Sequence, residues 1–507
     1  MSAPQLAARD DHASETPAAA AASILQKHER AMNTADNAGD IQDAFRLAYA
    51  ETDMGNARRL WLDHRRRLRY VPGLGWFYWD GTRWVRDDDG QAMRFAKETV
   101  RGIEIEAATL FESAAREPDD AQREKALKKA GGRLAWARRS QGQPRLEALL
   151  VCASTEPELV LAADELDADP MLFNVHNGTV ELRTGRLREH RPEDHITKIA
   201  GAAIKPMPTP RWDDYLATTF GGDIALIECF QRRIGYGLSG DTREQALFLA
   251  VGDGANGKST GMETIAAAMG DYAMTVDPLT FTTAASDRAA RSDIARTRGA
   301  RLILGSEIDE GAQLAKALLK QYTGGDNIVA RFLYREEFEF RPVGKIWLTV
   351  NHLPRVGSDD HAIWRRLHLV PFGVRILRPD KGLARKLRAE LPGIIDWALL
   401  GCLAWQRDGL GSCGAIDHAG AAYRQREDRV ARFLDECCEI DTGARVASGD
   451  LRDAYHTWEA SRGGTPVSDL LEQLDKRGFH AGKSNGQRVR KGLRLVSTDD
   501  AGSGRVG

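Results

Sequence analysis

A glycine-rich stretch, FLAVGDGANGKST from Phe248 to Thr260, combines the residue types that hold phosphate groups. Glycines let consecutive backbone N–H groups turn toward phosphate oxygens, and the positive end of a following helix favours the same negative charge. The spacing is the Walker A pattern, which predicts that Lys258 contacts the β- and γ-phosphates of ATP and that Ser259 ligates Mg²⁺. The predicted nucleotide-binding residues are Gly252, Asp253, Gly254, Ala255, Asn256, Gly257, Lys258, Ser259 and Thr260. The structural alternative is a glycine turn that precedes a helix by chance.

Acidic residues follow the next apolar stretch, RLILGS at 301–306. Parallel strands present their chemistry at their carboxyl ends, where a phosphate-loop fold places its Mg²⁺ contact and its general base. We therefore predict that Glu307 is the catalytic carboxylate and a second Mg²⁺ contact. Asp309 is the second candidate for the catalytic carboxylate.

Two further motifs suit the same chemistry. The apolar stretch KIWLTV ends in Asn351, whose amide would hydrogen-bond the attacking water or the γ-phosphate, unless it merely begins the turn before Pro354. The next motif is the pair Arg365 and Arg366 in the sequence IWRRL. An arginine that reaches a neighbouring subunit's γ-phosphate would stabilise charge in the transition state. The alternative is the basic end of a helix.

A candidate DNA contact lies in NIVARFLYREEFEFRP, where alternating apolar and polar residues predict two strands of a hairpin. This pattern places Arg331, Tyr334 and Arg335 at or near the tip. Basic and aromatic side chains there suit a moving single strand, which offers phosphates and base faces without a fixed sequence. An ordinary exposed hairpin is the alternative.

The elements that must position these residues are a strand at 246–251 before the glycine loop and a helix at 261–269 after it. With 507 residues the chain has room for about two to four domains. Its formal net charge is −2, so contact with nucleic acid must come from local basic clusters. No apolar run reaches membrane-spanning length, which predicts a cytoplasmic protein without a membrane partner. The six cysteines lack the spacing of a zinc site.

The sequence before the glycine-rich loop predicts three regions. Residues 1–40 read as a disordered leader, because they offer little apolar surface to bury. Residues 41–150 read as a small aromatic and basic region with a hairpin at Asp80-Gly81 and helices that break at Gly131-Gly132 and near Pro144. Its arginine run at 65–69 would either bind single-stranded nucleic acid or form a solvated edge. Residues 151–240 predict hairpins followed by helices.

The segments after the core predict a helical linker at 376–428 and a winged-helix-like module at 429–500. That module contains three helical stretches, the first of which is VARFLDECCEI, and a hairpin in KSNGQRVRKGLRLVS. Lys483, Arg490 and Lys491 make the hairpin basic, so it would touch DNA phosphates. A solvated basic wing is the alternative.

These motifs together resemble the superfamily 3 helicases, and more narrowly the helicase part of phage and plasmid primase-helicases related to the poxvirus-type enzyme. The matching text includes FLAVGDGANGKST, ARLILGSEIDEG, KIWLTVNHLPRV and IWRRLHLVPF. The resemblance implies an α/β fold with a P-loop, AAA+-like helicase core at 241–375, preceded by a helicase-associated domain at 151–240. It also implies a ring, usually hexameric, that has ATP sites between its subunits and moves 3′ to 5′ on single-stranded DNA.

The resemblance also assigns roles to residues. Lys258 and Ser259 hold the phosphates and Mg²⁺, Glu307 polarises water, and Asn351 senses the γ-phosphate. Arg366 is the arginine that contacts the γ-phosphate of a neighbouring subunit, and Arg365 is the alternative for this role.

The resemblance departs at the amino-terminal end. Family members often carry a primase domain there, whereas residues before 150 offer only the acidic run at 87–89. We therefore expect a separate primase or origin-binding protein as a partner.

The leading hypothesis is an ATP-dependent replicative helicase of a phage or plasmid, acting on single-stranded and forked DNA in a bacterial host. The alternatives are an ATP-dependent switch or loader at an origin, and a primase-helicase with a cryptic primase activity.

Overall fold

The computed structural model describes residues 46–284, 287–331, 337–356, 360–462, 469–484 and 486–496. The predicted leader at 1–40 lies outside these ranges. The chain divides into two compact units. One is Met1–Ala168 with Arg191–Thr197, and the other is Asp169–His190 with Lys198–Gly507. The finer six-part division expected from the sequence stays a prediction.

The first unit packs helices against a small antiparallel sheet of order β1-β2-β3. Its elements are α1 (Asp53–His64), β1 (Leu68–Val71), β2 (Gly75–Trp79), β3 (Trp84–Arg86), α2 (Gln91–Ala115), α3 (Asp120–Ser140) and α4 (Gln143–Ala153). The predicted hairpin at Asp80-Gly81 is confirmed, since Gly81 has a φ of 104° between β2 and β3. The acidic run that follows caps a helix, because Asp87 accepts hydrogen bonds from the N–H groups of Gln91 at 2.6 Å and Ala92 at 2.8 Å.

The predicted helix break at Gly131-Gly132 is wrong. Both glycines lie inside α3, and the chain instead turns between α2 and α3, where Pro118 stands. Two glycines weaken an isolated helix by about 1 kcal/mol each. Here α3 packs along α2 and buries Ala130 and Trp136, and tertiary packing of this kind outweighs local propensity.

The second unit is organised around a parallel sheet of five strands in the order β13-β7-β12-β9-β8. The strands are β7 (Leu247–Val251), β8 (Ala273–Thr275), β9 (Leu302–Ser306), β12 (Lys345–Val350) and β13 (Leu367–Pro371). The central strands β7 and β12 are apolar along almost their whole length, because helices and loops cover both faces of the sheet. One core contains Phe248 and Trp347, and the other contains Leu249 and Leu348.

Further elements of this unit surround the sheet. They are β4 (Leu172–Val175), β5 (Gly178–Glu181), β6 (Arg186–Arg188), α5 (Pro210–Thr219), α6 (Ile224–Leu238), α7 (Lys258–Met269), α8 (Asp287–Arg296), α9 (Lys316–Gly324), β10 (Ile328–Arg331), β11 (Glu337–Phe340), α10 (His361–Trp364), α11 (Leu383–Ala389), α12 (Leu391–Asp408) and α13 (Gly414–Glu427). The hairpins expected within 171–198 are confirmed as the antiparallel sheet β4-β5-β6. The hairpin β10-β11 is confirmed up to the pair Arg331 and Glu337.

Two buried cations fasten α6 to the amino-terminal ends of the strands. Arg301 donates to the carbonyl oxygen of Leu238 at 2.6 Å, and the Lys345 ammonium donates to the carbonyl oxygen of Ser239. Cations at the carboxyl end of a helix are stabilised by its dipole. Burial nevertheless lowers the pKa of Lys345 well below its usual value.

The carboxyl-terminal part of this unit contains α14 (Arg429–Cys437), β14 (Cys438–Ala447), α15 (Ser448–Ala460), α16 (Leu470–Lys476), β15 (Ala481–Ser484) and β16 (Gln487–Leu495). The hairpin β15-β16 was expected, but β14 was not. The sequence CCEI at 437–440 is predicted as the end of a helix, and this prediction is wrong from Cys438 onward. Cys438 instead begins β14, because it pairs with Leu495 of β16. The helices and strands share a core that includes Phe433, Tyr455 and Leu493.

Candidate nucleotide site

The loop between β7 and α7 has the backbone that a phosphate cradle needs. Gly254, Ala255 and Gly257 have φ values of 94°, 48° and 83°. At Gly252, a Cβ atom would lie 2.1 Å from the Asn256 side-chain nitrogen and 2.3 Å from the carbonyl oxygen of Phe372. Only glycine fits there, since the backbone of another strand end passes so close.

Lys258 is the first residue of α7, and only 5% of it is exposed. Its ammonium donates to the carbonyl oxygen of Gly252 and, at 3.1 Å, to Oδ1 of Asn351. Burial lowers the pKa of Lys258. The structure thus brings together two residues that the sequence placed in separate motifs, because β7 and β12 are neighbours in the sheet.

A cavity of about 470 Å³ opens beside this loop. Its other wall is the segment after β13, which is tied to the loop by the N–H of Ile376 donating to the carbonyl oxygen of Ala255 at 2.8 Å. The Asn256 side chain adds a bond of 3.0 Å to the carbonyl oxygen of Phe372. Arg375 is exposed and lines the cavity. Sequence reasoning missed Arg375, and its one available signal was its position just after a strand of the core.

Tyr215 on α5 contacts the same loop. Its hydroxyl donates to the carbonyl oxygen of Gly257 at 3.0 Å. Gly261 leaves room for this ring, since a Cβ atom there would lie 2.0 Å from the tyrosine oxygen. Sequence reasoning missed Tyr215 as well, because nothing local marks a contact across 42 residues.

Glu307 directly follows β9 and is exposed at the carboxyl edge of the sheet. Its N–H donates to the carbonyl oxygen of Thr349 at 3.1 Å, which puts it beside the strand that ends at Asn351. Its φ is 65°, which is costly for a residue with a side chain. Strain of this kind is concentrated at functional sites. Ser259 is also exposed, and Asp309 lies two residues beyond Glu307.

The two arginines after α10 differ in their surroundings. Arg366 is 6% exposed, and its guanidinium donates to Thr323 Oγ1 at 3.1 Å and to the carbonyl oxygen of Ala362 at 2.7 Å. Arg365 is exposed and donates to the Gln245 side chain at 3.2 Å. The role in trans stays a prediction, but an exposed guanidinium suits it better, so the geometry favours Arg365 over Arg366.

The predicted DNA contacts are described only in part. Arg331 is exposed on β10 opposite Glu337, whereas Tyr334 and Arg335 lie outside the described residues. In the carboxyl-terminal hairpin, Lys483 and Lys491 are exposed. Arg490 is 4% exposed and bonds to Asp475 and to the carbonyl oxygen of Phe479.

Arg488 is exposed directly opposite Lys483. These two cations would therefore meet a phosphate more easily than the buried Arg490.

Two family models match the chain. Residues 57–221 match the model described as D5 N terminal like, and residues 250–366 match a family of unknown function, DUF5906. The first match ends just after α5, and the second contains the loop, Glu307, Asn351 and both arginines.

Curated relatives come from large DNA viruses. A protein of Acanthamoeba polyphaga mimivirus named as a "putative helicase" is 29% identical over 252 residues, covering 46% of this chain and 25% of its own length. One of Frog virus 3 with the same description is 23% identical, covering 59% of this chain and 39% of its own length. One of African swine fever virus named as a "putative primase" is 22% identical, covering 65% of this chain and 38% of its own length. The chain thus spans a quarter to two fifths of the length of these relatives.

Among solved structures, the apo carboxyl-terminal region of NrS-1 aligns with a TM-score of 0.38 and 10% identity. The alignment covers 57% of this chain and 76% of that one. Among the described residues, no helix is both long and apolar enough to cross a bilayer.

Proposed function

We propose that this chain, which matches the D5 N terminal like and DUF5906 models and resembles viral proteins named as helicases, is an ATP-dependent DNA helicase of the superfamily 3 type that works in replication. In this proposal it moves along single-stranded DNA as a ring and separates duplex by hydrolysing ATP between subunits. The names of its relatives support the broader statement, that it belongs with enzymes of helicase or primase type that act on DNA.

The observation that carries the proposal is the contact of 3.1 Å between the Lys258 ammonium and Asn351 Oδ1. A phosphate loop alone would suit many nucleotide-binding proteins. A polar amide on the neighbouring strand, within reach of the loop's lysine, adds a group that can register a γ-phosphate. Glu307 directly follows the next strand, β9, at the same edge of the sheet, where it would supply the carboxylate that hydrolysis requires.

The residues present fit ATP with Mg²⁺. The cradle at Gly252 admits no Cβ atom, and the positive φ angles at Gly254 and Gly257 allow N–H groups to face an anion. Lys258 would leave the carbonyl oxygen of Gly252 for phosphate oxygens. Ser259 and Glu307 would hold the metal, which would supply positive charge to the phosphates. Arg375 would contribute a further cation from the same chain.

We assign the five-stranded parallel sheet to a P-loop core of the AAA+ type, and residues 429–496 to a winged-helix-like module. The core would assemble as a hexamer in which Arg365, or Arg366 after local rearrangement, meets the γ-phosphate of the next subunit. The hairpin that bears Arg331 would line the central pore, and Lys483, Arg488 and Lys491 would contact forked DNA. A separate primase or origin-binding protein would complete the replication machinery.

The test compares the purified protein with its Lys258→Ala variant. Wild type should hydrolyse ATP faster when single-stranded DNA is added and should separate a tailed duplex, and Lys258→Ala should lose both activities. Lys386→Ala is the matched control, because this lysine is exposed on α11 and pairs only with Asp380 at 2.6 Å among the described residues. ATP hydrolysis that ignores DNA, without unwinding, would contradict the proposal.

Two other classes remain as outcomes of the same assays. A switch or loader at an origin would bind ATP and assemble on duplex without unwinding it. A primase is favoured by the name of the African swine fever virus relative, although this chain matches only 38% of that protein. Synthesis of primers on a single-stranded template by this chain alone would establish that class.

A further inference from the structure

A second cavity, of about 260 Å³, lies between the carboxyl edge of the parallel sheet and the helices α13, α14 and α15. One wall is the segment 352–355, which directly follows Asn351, together with 310–311 after β9. The other wall consists of side chains from the three helices and Arg462. No residue of the phosphate loop lines this cavity, so it is distinct from the nucleotide cleft.

The lining is rich in arginine. It contains five arginines against three glutamates, namely Arg355, Arg426, Arg429, Arg432 and Arg462 against Glu310, Glu427 and Glu459. Two of the glutamates have structural tasks. Glu427 accepts the N–H of Val356 at 2.8 Å, and Glu459 accepts the hydroxyl of Tyr455 at 3.0 Å and pairs with Arg429 at 3.5 Å. Because five arginines face three glutamates, the lining still carries an excess of positive charge.

Arg355 and Arg426 have no carboxylate partner within the part of the chain that the structure describes. Arg355 belongs to the segment after Asn351, and Arg426 donates to the carbonyl oxygen of Leu353 in that same segment at 3.1 Å. Two guanidinium groups beside one segment, neither of them paired with a carboxylate among the described residues, are suited to phosphate, which they can contact through paired N–H groups.

The tryptophan in this lining is too buried to stack on a base. Trp458 is 7% exposed, and the guanidinium carbons of Arg462 and Arg432 lie 4.6 Å and 5.8 Å from its ring centroid. Both arginines pair with Glu436, which also accepts the indole N–H at 2.9 Å. Trp458 is therefore closed to bases, and stacking on the other ring of the lining, the exposed His352, would tolerate any base. The ligand would be held by its phosphates, without regard to sequence.

The segment that bears Arg355 is fastened on both sides. The Tyr423 hydroxyl donates to the carbonyl oxygen of Pro354, and the N–H of Arg355 donates to the carbonyl oxygen of Ala312 at 2.7 Å. A ligand on Arg355 would therefore act on a restrained segment that begins at Asn351, which contacts Lys258.

From this arrangement we infer that the cavity is a binding site for the phosphodiester backbone of a nucleic-acid single strand. This site is separate from the hairpin β10-β11 and from the carboxyl-terminal hairpin β15-β16. The inference rests on the proposed function, because it names where that function's strand is held. It also gives the strand a direct route to the nucleotide site, through the three residues, 352–354, that join Arg355 to Asn351.

The test uses the full chain with Arg355→Gln and Arg426→Gln combined. The probe is a fluorescent oligo(dT) strand, and its affinity is measured without nucleotide over a range of salt concentrations. We expect about tenfold weaker binding, and a salt slope that falls by roughly 1.4, from about 0.7 for each lost phosphate contact on a single strand. Arg388→Gln is the control, because this arginine is exposed on α11 and lines neither cavity. Wild-type affinity and slope in the double variant would overturn the inference.

A second variant guards against a folding defect. Arg355→Lys combined with Arg426→Lys keeps both charges, so the salt slope should stay at the wild-type value while affinity falls two- to fivefold, since lysine lacks the paired geometry. A slope that falls as far as in the glutamine variant would contradict phosphate contact.

Two further measurements separate the sources of phosphate and the two hypotheses. If inorganic pyrophosphate binding is lost in the glutamine variant while oligo(dT) binding is kept, the ligand is a small phosphate and the inference fails. ATP hydrolysis without DNA should match wild type in the variant, while stimulation by DNA should be lost. A wild type that hydrolyses no ATP would refute the proposed function, whereas the strand-binding comparison would still decide the inference.

Discussion

The Tyr215 hydroxyl donates to the carbonyl oxygen of Gly257 at 3.0 Å, and no Cβ atom at Gly261 would fit beside the ring. Tyr215 belongs to the segment that matches the D5 N terminal like model, and Gly257 belongs to the segment that matches DUF5906. The two matched segments therefore meet at the glycine-rich loop between β7 and α7. Because the Gly257 carbonyl and the Lys258 N–H share one peptide plane, this bond helps to fix the direction of an N–H group at the start of α7.

We expect Tyr215→Phe to weaken nucleotide binding about fivefold, because a net hydrogen bond is worth about 1 kcal/mol and the ring packing on Trp212 is kept. The measurement is the Kd of a fluorescent ATP analogue. Tyr272→Phe is the matched control, since this buried tyrosine accepts the N–H of Asn174 at 3.1 Å away from the loop. Equal loss of nucleotide affinity in both variants would show that Tyr215 acts only through general stability.

The parts of the site that could be predicted from the sequence are those encoded locally. The loop, Glu307 and Asn351 each follow an apolar strand, so short patterns located them. The contacts of Tyr215 with Gly257 and of Arg366 with Thr323 cross 42 and 43 residues, and no pattern within a window records them.

The same reasoning explains two errors in the predicted fold. The glycines at 131 and 132 stay helical because α3 packs on α2, and Cys438 becomes a strand because β16 pairs with it. In both cases, tertiary pairing outweighs local propensity.

Glu307 allows a test that separates strain from chemistry. Glu307→Gly should raise the free energy of unfolding by about 1 kcal/mol, because glycine adopts a φ of 65° without the strain of a side chain. The same change should abolish ATP hydrolysis. Glu307→Gln keeps the strain, and we expect it to bind ATP but hydrolyse it at least a hundredfold more slowly. Asp309→Asn is the control, and a larger loss there than in Glu307→Gln would move the catalytic role to Asp309.

Arg365 and Arg366 should give opposite phenotypes. Arg366→Ala removes two hydrogen bonds from a buried guanidinium, and should lower the free energy of unfolding by about 2 kcal/mol. Arg365→Ala should change stability by less than about 0.5 kcal/mol, but should slow hydrolysis about a thousandfold if it acts in trans.

Mixing the inactive variants Arg365→Ala and Lys258→Ala decides whether the arginine acts across a subunit interface. Some interfaces in a mixed assembly pair an intact loop with an intact arginine, so part of the hydrolysis should return. If mixing restores none, Arg365 does not act across an interface.

The carboxyl-terminal hairpin also carries both exposed and buried cations, and we expect their substitutions to have different effects. Lys483→Ala combined with Arg488→Ala should weaken binding of a forked duplex and lower its salt slope by roughly 1.8, at about 0.9 for each phosphate contact on duplex DNA. Arg490→Ala should instead lower the melting temperature, because Arg490 joins Asp475 and the carbonyl oxygen of Phe479 in the interior of the module. If Arg490→Ala changes the salt slope without changing the melting temperature, this division of roles is wrong.

His64 should make the first unit sensitive to acid. It is 6% exposed, stacks on Phe95 with ring centroids 4.4 Å apart, and neither ring nitrogen has a hydrogen-bond partner among the described residues. Burial, outweighing the nearby Glu98 carboxylate, lowers the pKa of His64 from 6.5 to about 4, and the Arg67 and Arg46 cations act in the same direction as burial.

The unfolded chain therefore takes up a proton near pH 6.5, whereas the folded chain resists it until about pH 4. Stability should be unaffected by His64 above pH 6.5, and should fall as the pH drops toward 4, by up to about 3 kcal/mol. Burial raises the pKa of the nearby Asp63 carboxyl, which acts in the opposite direction, so the comparison must be made with a variant. His64→Phe keeps an aromatic ring against Phe95 and should remove most of the loss when urea unfolding is followed from pH 7 to 4. If this variant keeps the wild-type pH dependence, other groups cause the acid sensitivity.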